Sequence, residues 1–296
     1  MARSAAQMVL FEVKGLSQVI NVAAVPQRSP FRYPGGKTWL VPRIRQWLKK
    51  RPAHFIEPFA GGGIVSLTVA AENLADHVTM VERDEQVAAV WQVIVEGETD
   101  AQWLADAIVK FDLTSESLAE VLGSKPRSVR QRAFQTILKN RTFHGGILAA
   151  GSSPLKYGEN GKGIRSRWYA DTLKRRILDI TKWRDRITFV QGDGIEIVRR
   201  HGRKSTAAFF IDPPYTVGGK RAGRRLYTYS EIDHENLFKV TSKVAGDFLM
   251  TYDEADDVRE LAKKYNFDTE LVAMKNTHHA SMRELLIGRD LDWARQ

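Results

Sequence analysis

The chain has 296 residues and not one cysteine. Disulfides, cysteine-ligated zinc and cysteine nucleophiles are excluded on that ground, and a reducing, cytoplasmic setting is expected. It also lacks any apolar run of about 18 residues, the length that would cross a bilayer. The N-terminal stretch Met8-Val9-Leu10-Phe11 meets Glu12 and Lys14 too soon to act as a signal peptide. No membrane partner is expected. Histidine is sparse, and of 7 only His278 and His279 are close in sequence. Neighbours in a regular element point different ways, so no metal site is expected. No Ser/His/Asp arrangement for nucleophilic catalysis stands out, and there is no internal repeat or low-complexity segment.

Positive charge is what the chain has in excess, and it is segregated. From Val121 to Ser230 there are 24 Lys and Arg against 7 Asp and Glu, whereas the remainder holds 21 basic and 28 acidic residues. A basic middle on a mildly acidic scaffold is the footprint of a face that binds a polyanion.

The pattern of elements is α/β. Residues 1–29 read as an N-terminal arm. A turn-rich loop, Phe31–Lys37, leads to a helix from Trp39 to Lys50 that keeps Pro42 in its first turn. His54–Phe59 reads as a short strand stopped by Pro58. A glycine loop, a helix to about Asn73, a strand His77–Glu82 and a helix to about Glu96 follow. Strand, glycine loop, helix, strand is the opening of a Rossmann-like unit. The period then changes. Helices at about 100–110, 114–122 and 128–139, a Gly/Ser-rich loop to Gly163 and a basic helix at about 168–183 suggest a mostly helical insertion, 98–183. It interrupts a domain made of 30–97 and 184–296. Strands resume at Ile187–Val190, Phe209–Asp212 and Phe248–Tyr252, with a closing antiparallel pair at Thr269–Met274 and Glu284–Ile287.

Four residues carry the chemistry: Asp212-Pro213-Pro214-Tyr215, directly after the apolar run Ala207–Ile211. Two prolines end a strand stiffly, because neither donates to a ladder and each restricts the residue before it. A carboxylate, rigid carbonyls and a phenol ring then stand at the edge where open α/β sheets bind ligands. They make a receptor for a flat ring bearing an amino group. In Glu57-Pro58-Phe59-Ala60-Gly61-Gly62-Gly63, glycines between strand and helix admit a ligand to the backbone. Glu82 lies 21 residues beyond Gly61, about where an acidic residue binds ribose hydroxyls. The third glycine of GxGxxG is missing, with Ser66 in its place. Asp193, in the turn Gly192-Asp193-Gly194, suits the amino group of a cofactor adenine, or is an ordinary turn residue. Pro34-Gly35-Gly36-Lys37-Thr38 is not a triphosphate-binding loop, since Phe31 stands where that motif needs glycine. A cationic loop reaching a carboxylate or a phosphate is compatible with it. Asn140-Arg141-Thr142-Phe143-His144-Gly145-Gly146 closes a basic helix with groups suited to phosphates and bases, or to helix capping.

Three of these segments, in this order, resemble the Dam-like DNA adenine methyltransferases of the alpha group: Phe31–Lys37 an FxxxGGK-type loop, Glu57–Gly63 an EPFxGxG loop, and Asp212–Tyr215 a DPPY motif. Glu82 matches the acidic residue ending the second strand, where the family often has aspartate. Asn140–Gly145 matches a loop led by asparagine and arginine, without its usual second asparagine. The likeness spans about residues 30–290. It implies a Rossmann-like S-adenosylmethionine-dependent methyltransferase fold, a mixed sheet with an antiparallel last strand, and a helical DNA-recognition insertion. It implies S-adenosyl-L-methionine as donor and the N6 amino group of an adenine flipped out of double-stranded DNA as acceptor. Asp212, Pro213, Pro214 and Tyr215 would be catalytic. Tyr33, Gly36, Lys37, Glu57, Pro58, Phe59, Gly61, Gly63, Glu82, Asp193 and Asp212 would line the cofactor site. Arg127, Arg130, Arg132, Lys139, Asn140, Arg141, Lys220, Arg221, Arg224 and Arg225 would hold DNA. A monomer encoded by a bacterium, a phage or a mobile element is expected. Adenine in RNA, a protein amide nitrogen, and a catalytically silent DNA-binding protein stay open as alternatives.

Overall fold

The run Ala207–Ile211 is buried at all five positions, and its side chains part to two sides. Ala208 and Phe210 enter one apolar cluster, while Ala207, Phe209 and Ile211 enter another. That is the alternation of a strand covered on both faces. The computed structural model describes residues 24–32, 35–158, 161–214, 231–275 and 281–295. Tyr33, Tyr215, Lys220, Arg221, Arg224 and Arg225, all expected at the site, lie outside the described residues, as do His278 and His279.

Among the described residues the sheet has seven strands: β1 (His54–Glu57), β2 (His77–Glu82), β3 (Ile187–Gln191), β4 (Ala207–Ile211), β5 (Asp247–Asp253), β6 (Asp268–Lys275) and β7 (Ser281–Gly288). Their spatial order is β3-β2-β1-β4-β5-β7-β6. The first five are parallel, and β7 runs antiparallel to both β5 and β6. The order reverses between β1 and β4, so a Rossmann-like crevice opens beyond their carboxyl ends. The expected closing antiparallel pair is present, with β7, the last strand, wedged between β5 and β6.

Helices α1 (Val41–Trp47), α2 (Ile64–Ala71), α3 (Glu85–Trp91), α4 (Asp100–Lys110), α5 (Ser115–Gly123), α6 (Val129–Thr142) and α7 (Ala170–Thr181) come before β3. Leu104, Ile108, Ala133, Ile137, Leu173 and Ile177, from α4, α6 and α7, share one core cluster with Leu67, Met80 and Phe210. These helices therefore extend the main core; Leu113, Leu118 and Leu138 form a small satellite. Helices α8 (Gly194–His201), α9 (His234–Thr241) and α10 (Asp256–Lys264) accompany the opposite cluster, through Ile197, Leu237, Phe238 and Val258. The helix expected over 85–96 stays α-helical only to Trp91 and widens into a π turn over Gln92–Glu96.

Between β1 and α2 the chain turns at Gly63, whose φ of +63° is left-handed. A Cβ there would stand 2.5 Å from Met80 Cε and 3.0 Å from Trp91 Cζ2, so glycine is required by both conformation and space. Gly63→Ala is expected to destabilise the fold by about 1–3 kcal/mol through overpacking and backbone strain. Urea unfolding of the two proteins measures it.

Candidate active site

Strand alternation sets which side chains meet at the carboxyl edge. Phe55, Met80, Phe210, Leu249 and Leu286 all point into the core that the early helices share. Two residues further on, toward the carboxyl edge of the sheet, the same face carries Glu57, Glu82, Asp212, Thr251 and Glu284. The pairing of Ile211 with Met250 puts Asp212 beside Thr251, and the Thr251 hydroxyl donates to Asp212 Oδ1 at 2.8 Å. Glu284 lies opposite Asp253 across β5 and β7. Lys37 enters from the 3₁₀ turn Lys37–Leu40, on the face covered by α1. Its ammonium stands 2.9 Å from Asp212 Oδ1 and 3.1 Å from Glu284 Oε1, and it donates to the Gly35 carbonyl at 3.0 Å. Lys37 is 4% and Glu284 2% exposed, so water does little to screen that pair, whereas the Asp212 side chain keeps 21% of its surface open.

Glu57 is buried beside the cluster, and its Oε2 accepts the Ser66 N–H at 2.9 Å, capping the first turn of α2. Burial pushes its carboxyl up to about 8 against the hydrogen bonding from Ser66, and the Asp212 charge adds to the rise. Buried Tyr252, next to Thr251, is raised well above the usual phenol range by burial and then by Asp212. Pro213 is buried and Pro214 half-buried, which fixes the backbone immediately after the carboxylate.

The second half of the site is the glycine loop. Glu82 Oε2 accepts the Gly61 N–H at 2.9 Å, and its Oε1 accepts those of Arg83 and Asp84 at 2.7 and 2.8 Å. A carboxylate has about four lone-pair directions, so these three bonds lock the group and leave room for one further donor. Burial pushes Glu82 up to about 7, against those backbone bonds. Asp193 Oδ1 caps α8 through Ile195 N–H at 2.8 Å, and Oδ2 lies 3.4 Å from Arg83 Nη1. A Cβ on Gly194 would meet the Pro58 carbonyl at 2.4 Å and the Phe59 ring at 2.9 Å. The Asp193 turn thus lies directly against the loop after β1. Gly36 is exposed at the start of the Lys37 turn. A hydroxyl-bearing, cationic ligand suits this donor set: carboxylates at the ends of β2 and β4, and a glycine loop beside the helix α2.

Asn140 and Arg141 correct an expectation. Both are buried and bond the segment Pro30–Arg32 instead of facing outward. Asn140 accepts the Arg32 N–H at 2.8 Å and donates to the carbonyls of Arg32 and Gly146 at 3.0 and 2.8 Å. Arg141 gives two bonds to the Pro30 carbonyl, at 3.0 and 2.7 Å. Burial, helped by Arg176 and Arg32, pulls its guanidinium down to about 10. Arg176 of α7, not foreseen from the sequence, holds the Ser29 carbonyl at 3.1 Å. From the other side, the Ser29 hydroxyl donates to the Gly62 carbonyl at 2.5 Å and Trp91 Nε1 to that of Gly61 at 2.9 Å. The helical region and the glycine loop thus grip one strap of backbone.

Of the other expected DNA contacts, Arg127 is exposed. Arg130 pairs with Asp100, Arg132 with Glu85, and Lys139 donates to the Leu148 carbonyl. Lys125, Lys156 and Lys162 are exposed on the same helical region and were not singled out beforehand; only the charge count pointed to them. Among the described residues no group of His, Asp and Glu could hold a metal ion, and no helix is long and apolar enough to cross a membrane. A cavity of about 260 Å³, lined by Arg28, Arg175, Arg176 and Trp183 among others, shares no residue with the strand-end cluster.

Residues 33–115 match the family model described as D12 class N6 adenine-specific DNA methyltransferase. The match covers the part of the chain from the Lys37 turn to the start of the helical region, and it supports an adenine-specific methyltransferase with S-adenosyl-L-methionine as its methyl donor. No curated protein matches the sequence. Among solved structures, the precorrin-6y C5,15-methyltransferase of Geobacter metallireducens GS-15 is 11% identical, with 87% of this chain and 91% of that chain covered and a TM-score of 0.37. The rRNA methyltransferase aviRa of Streptomyces viridochromogenes is also 11% identical, covering 87% and 86%, again with a TM-score of 0.37. At such TM-scores these likenesses carry no argument.

The two raised carboxyls have a consequence for stability. Glu57 and Glu82 hold their protons more tightly folded than unfolded, where their value is 4.5. Their contribution to stability therefore falls as pH rises from 4.5 toward 7 for Glu82 and 8 for Glu57, and levels off above. Glu57→Gln removes the Glu57 part. Denaturant unfolding at about pH 5 and about pH 9 is expected to show the variant gaining on wild type at the higher pH. Parallel pH profiles would refute the buried-acid assignment.

Proposed function

We propose that this chain is an adenine-specific methyltransferase using S-adenosyl-L-methionine, and that its acceptor is the N6 amino group of an adenine turned out of double-stranded DNA. The observation that carries the reading is the fixed carboxylate of Asp212 beside the rigid Pro213-Pro214 turn, on the edge it shares with Glu57 and Glu82. The exocyclic nitrogen is a poor nucleophile because its lone pair is delocalised into the ring. Asp212 and the Pro213 carbonyl each accept one amino N–H, which favours a tetrahedral nitrogen with its lone pair directed outward. The bound donor supplies an already activated methyl group, so the protein's part is alignment and exclusion of water. Glu82, with one acceptor direction left, holds a ribose hydroxyl, and Asp193 lies at the adenine end.

Within a duplex this nitrogen is inside the stack, so the base must leave it. Tyr215 is assigned to stacking on that base. Region 98–183 serves as the target-recognition part, with Lys125, Arg127, Lys156 and Lys162 presented for phosphates. Asp212→Ala is expected to lower turnover by at least about 1,000-fold while DNA affinity stays near wild type. Single-turnover methylation and fluorescence-anisotropy binding on the same duplex measure both. Turnover near wild type would remove Asp212 from the reaction, and transfer to RNA in preference to duplex DNA would reassign the acceptor.

A further inference from the structure

The motif resemblance placed Lys37 among the cofactor ligands, and its surroundings place it elsewhere. We propose that Lys37 is a positioning residue of the acceptor site, anchored on Glu284 and holding the Asp212 carboxylate in the orientation that receives the target amino group. This rests on the function proposed above.

An ammonium has three donors and no acceptor. Three oxygens already surround that of Lys37: the Gly35 carbonyl at 3.0 Å, Asp212 Oδ1 at 2.9 Å and Glu284 Oε1 at 3.1 Å. Each donor has a partner inside the protein, so the side chain has none to offer a cofactor. Glu284 is nearly inaccessible and comes from β7, the strand wedged in antiparallel beside β5. It anchors the ammonium from that strand. Thr251 bonds the same Asp212 oxygen at 2.8 Å from β5.

The two prolines fix the backbone after Asp212 but leave the rotation of its carboxylate unset. The pair of contacts on Oδ1, one from Lys37 and one from Thr251, sets it. An acceptor that must meet an amino hydrogen in a narrow range of directions needs that restraint, because misplacement by about 1 Å costs about 100-fold in rate.

The test separates alignment from cofactor binding. Lys37→Met leaves two carboxylates without their cation and can fail to fold, so Lys37→Met/Glu284→Gln is made beside it. Calorimetry with S-adenosyl-L-methionine alone, single-turnover and steady-state methylation of duplex DNA, and crystal structures of wild type and double variant are the readouts. Donor affinity and the KM for DNA are expected to stay at wild-type values while kcat falls about 100-fold. In the double variant the Asp212 carboxylate is expected to rotate away from Thr251. Loss of donor affinity in step with kcat would make Lys37 a cofactor ligand and overturn the proposal, as would an unchanged kcat. If the wild type methylates no adenine, the proposed function falls by itself. The crystal structures then decide alone: an Asp212 that has rotated supports the positioning role, and one that has not moved overturns it.

Discussion

A single ammonium group ties together parts of the chain that are far apart in sequence. Lys37 lies in the 3₁₀ turn before α1, Asp212 at the end of β4 and Glu284 in β7; the contacts are 2.9 and 3.1 Å, with Lys37 and Glu284 buried and Asp212 half-buried. Burying charge is costly unless it is paired. The two carboxylates and the lysine therefore require one another, and the 3₁₀ turn must sit over the ends of β4, β5 and β7. With that turn in place, the backbone just before it runs past the glycine loop, where Ser29 meets the Gly62 carbonyl. The same strap is held from behind by Asn140, Arg141 and Arg176. The strap thereby joins the helical region to the glycine loop.

The charge arrangement fits the work assigned to it. Two carboxylates, Asp212 and Glu284, share one lysine, while burial keeps the neighbouring Glu57 protonated and neutral up to about pH 8. The net negative edge suits a cationic donor. Positive charge lies on the helical region, where Lys125, Arg127, Lys156 and Lys162 are exposed. Under the proposed function the negative edge would meet the cationic donor and the positive helical region the phosphates.

Much of this was legible in the letters. The strands were readable because Ala207–Ile211 and His77–Glu82 are apolar runs with clear stops, at Pro213-Pro214 and before Arg83-Asp84. Asp212, Glu57 and Glu82 could be placed at strand ends for the same reason. Glu284 and Thr251 were not found, although both lay in expected strands. What marks them is parity: each sits two residues from a leucine of the shared core, on the face of Asp212, and that becomes visible only once register is known. Asn140 and Arg141 were misread because a polar pair closing a basic helix looks alike whether it faces solvent or an unpaired backbone segment. The partners, Pro30 and Arg32, lie 111 and 108 residues away, beyond the reach of local pattern. Glu57 could be placed but not its proton, since burial is a property of the packed chain.

Transfer of a methyl group to adenine N6 in duplex DNA leaves a direct chemical trace. Incubation with S-adenosyl-L-methionine carrying an isotopically labelled methyl group, then digestion of the DNA and mass analysis of its nucleosides, tests it directly. Label is expected in N6-methyldeoxyadenosine and in no other nucleoside. Label confined to another base, or DNA left unlabelled by a folded protein that binds the donor, would contradict it.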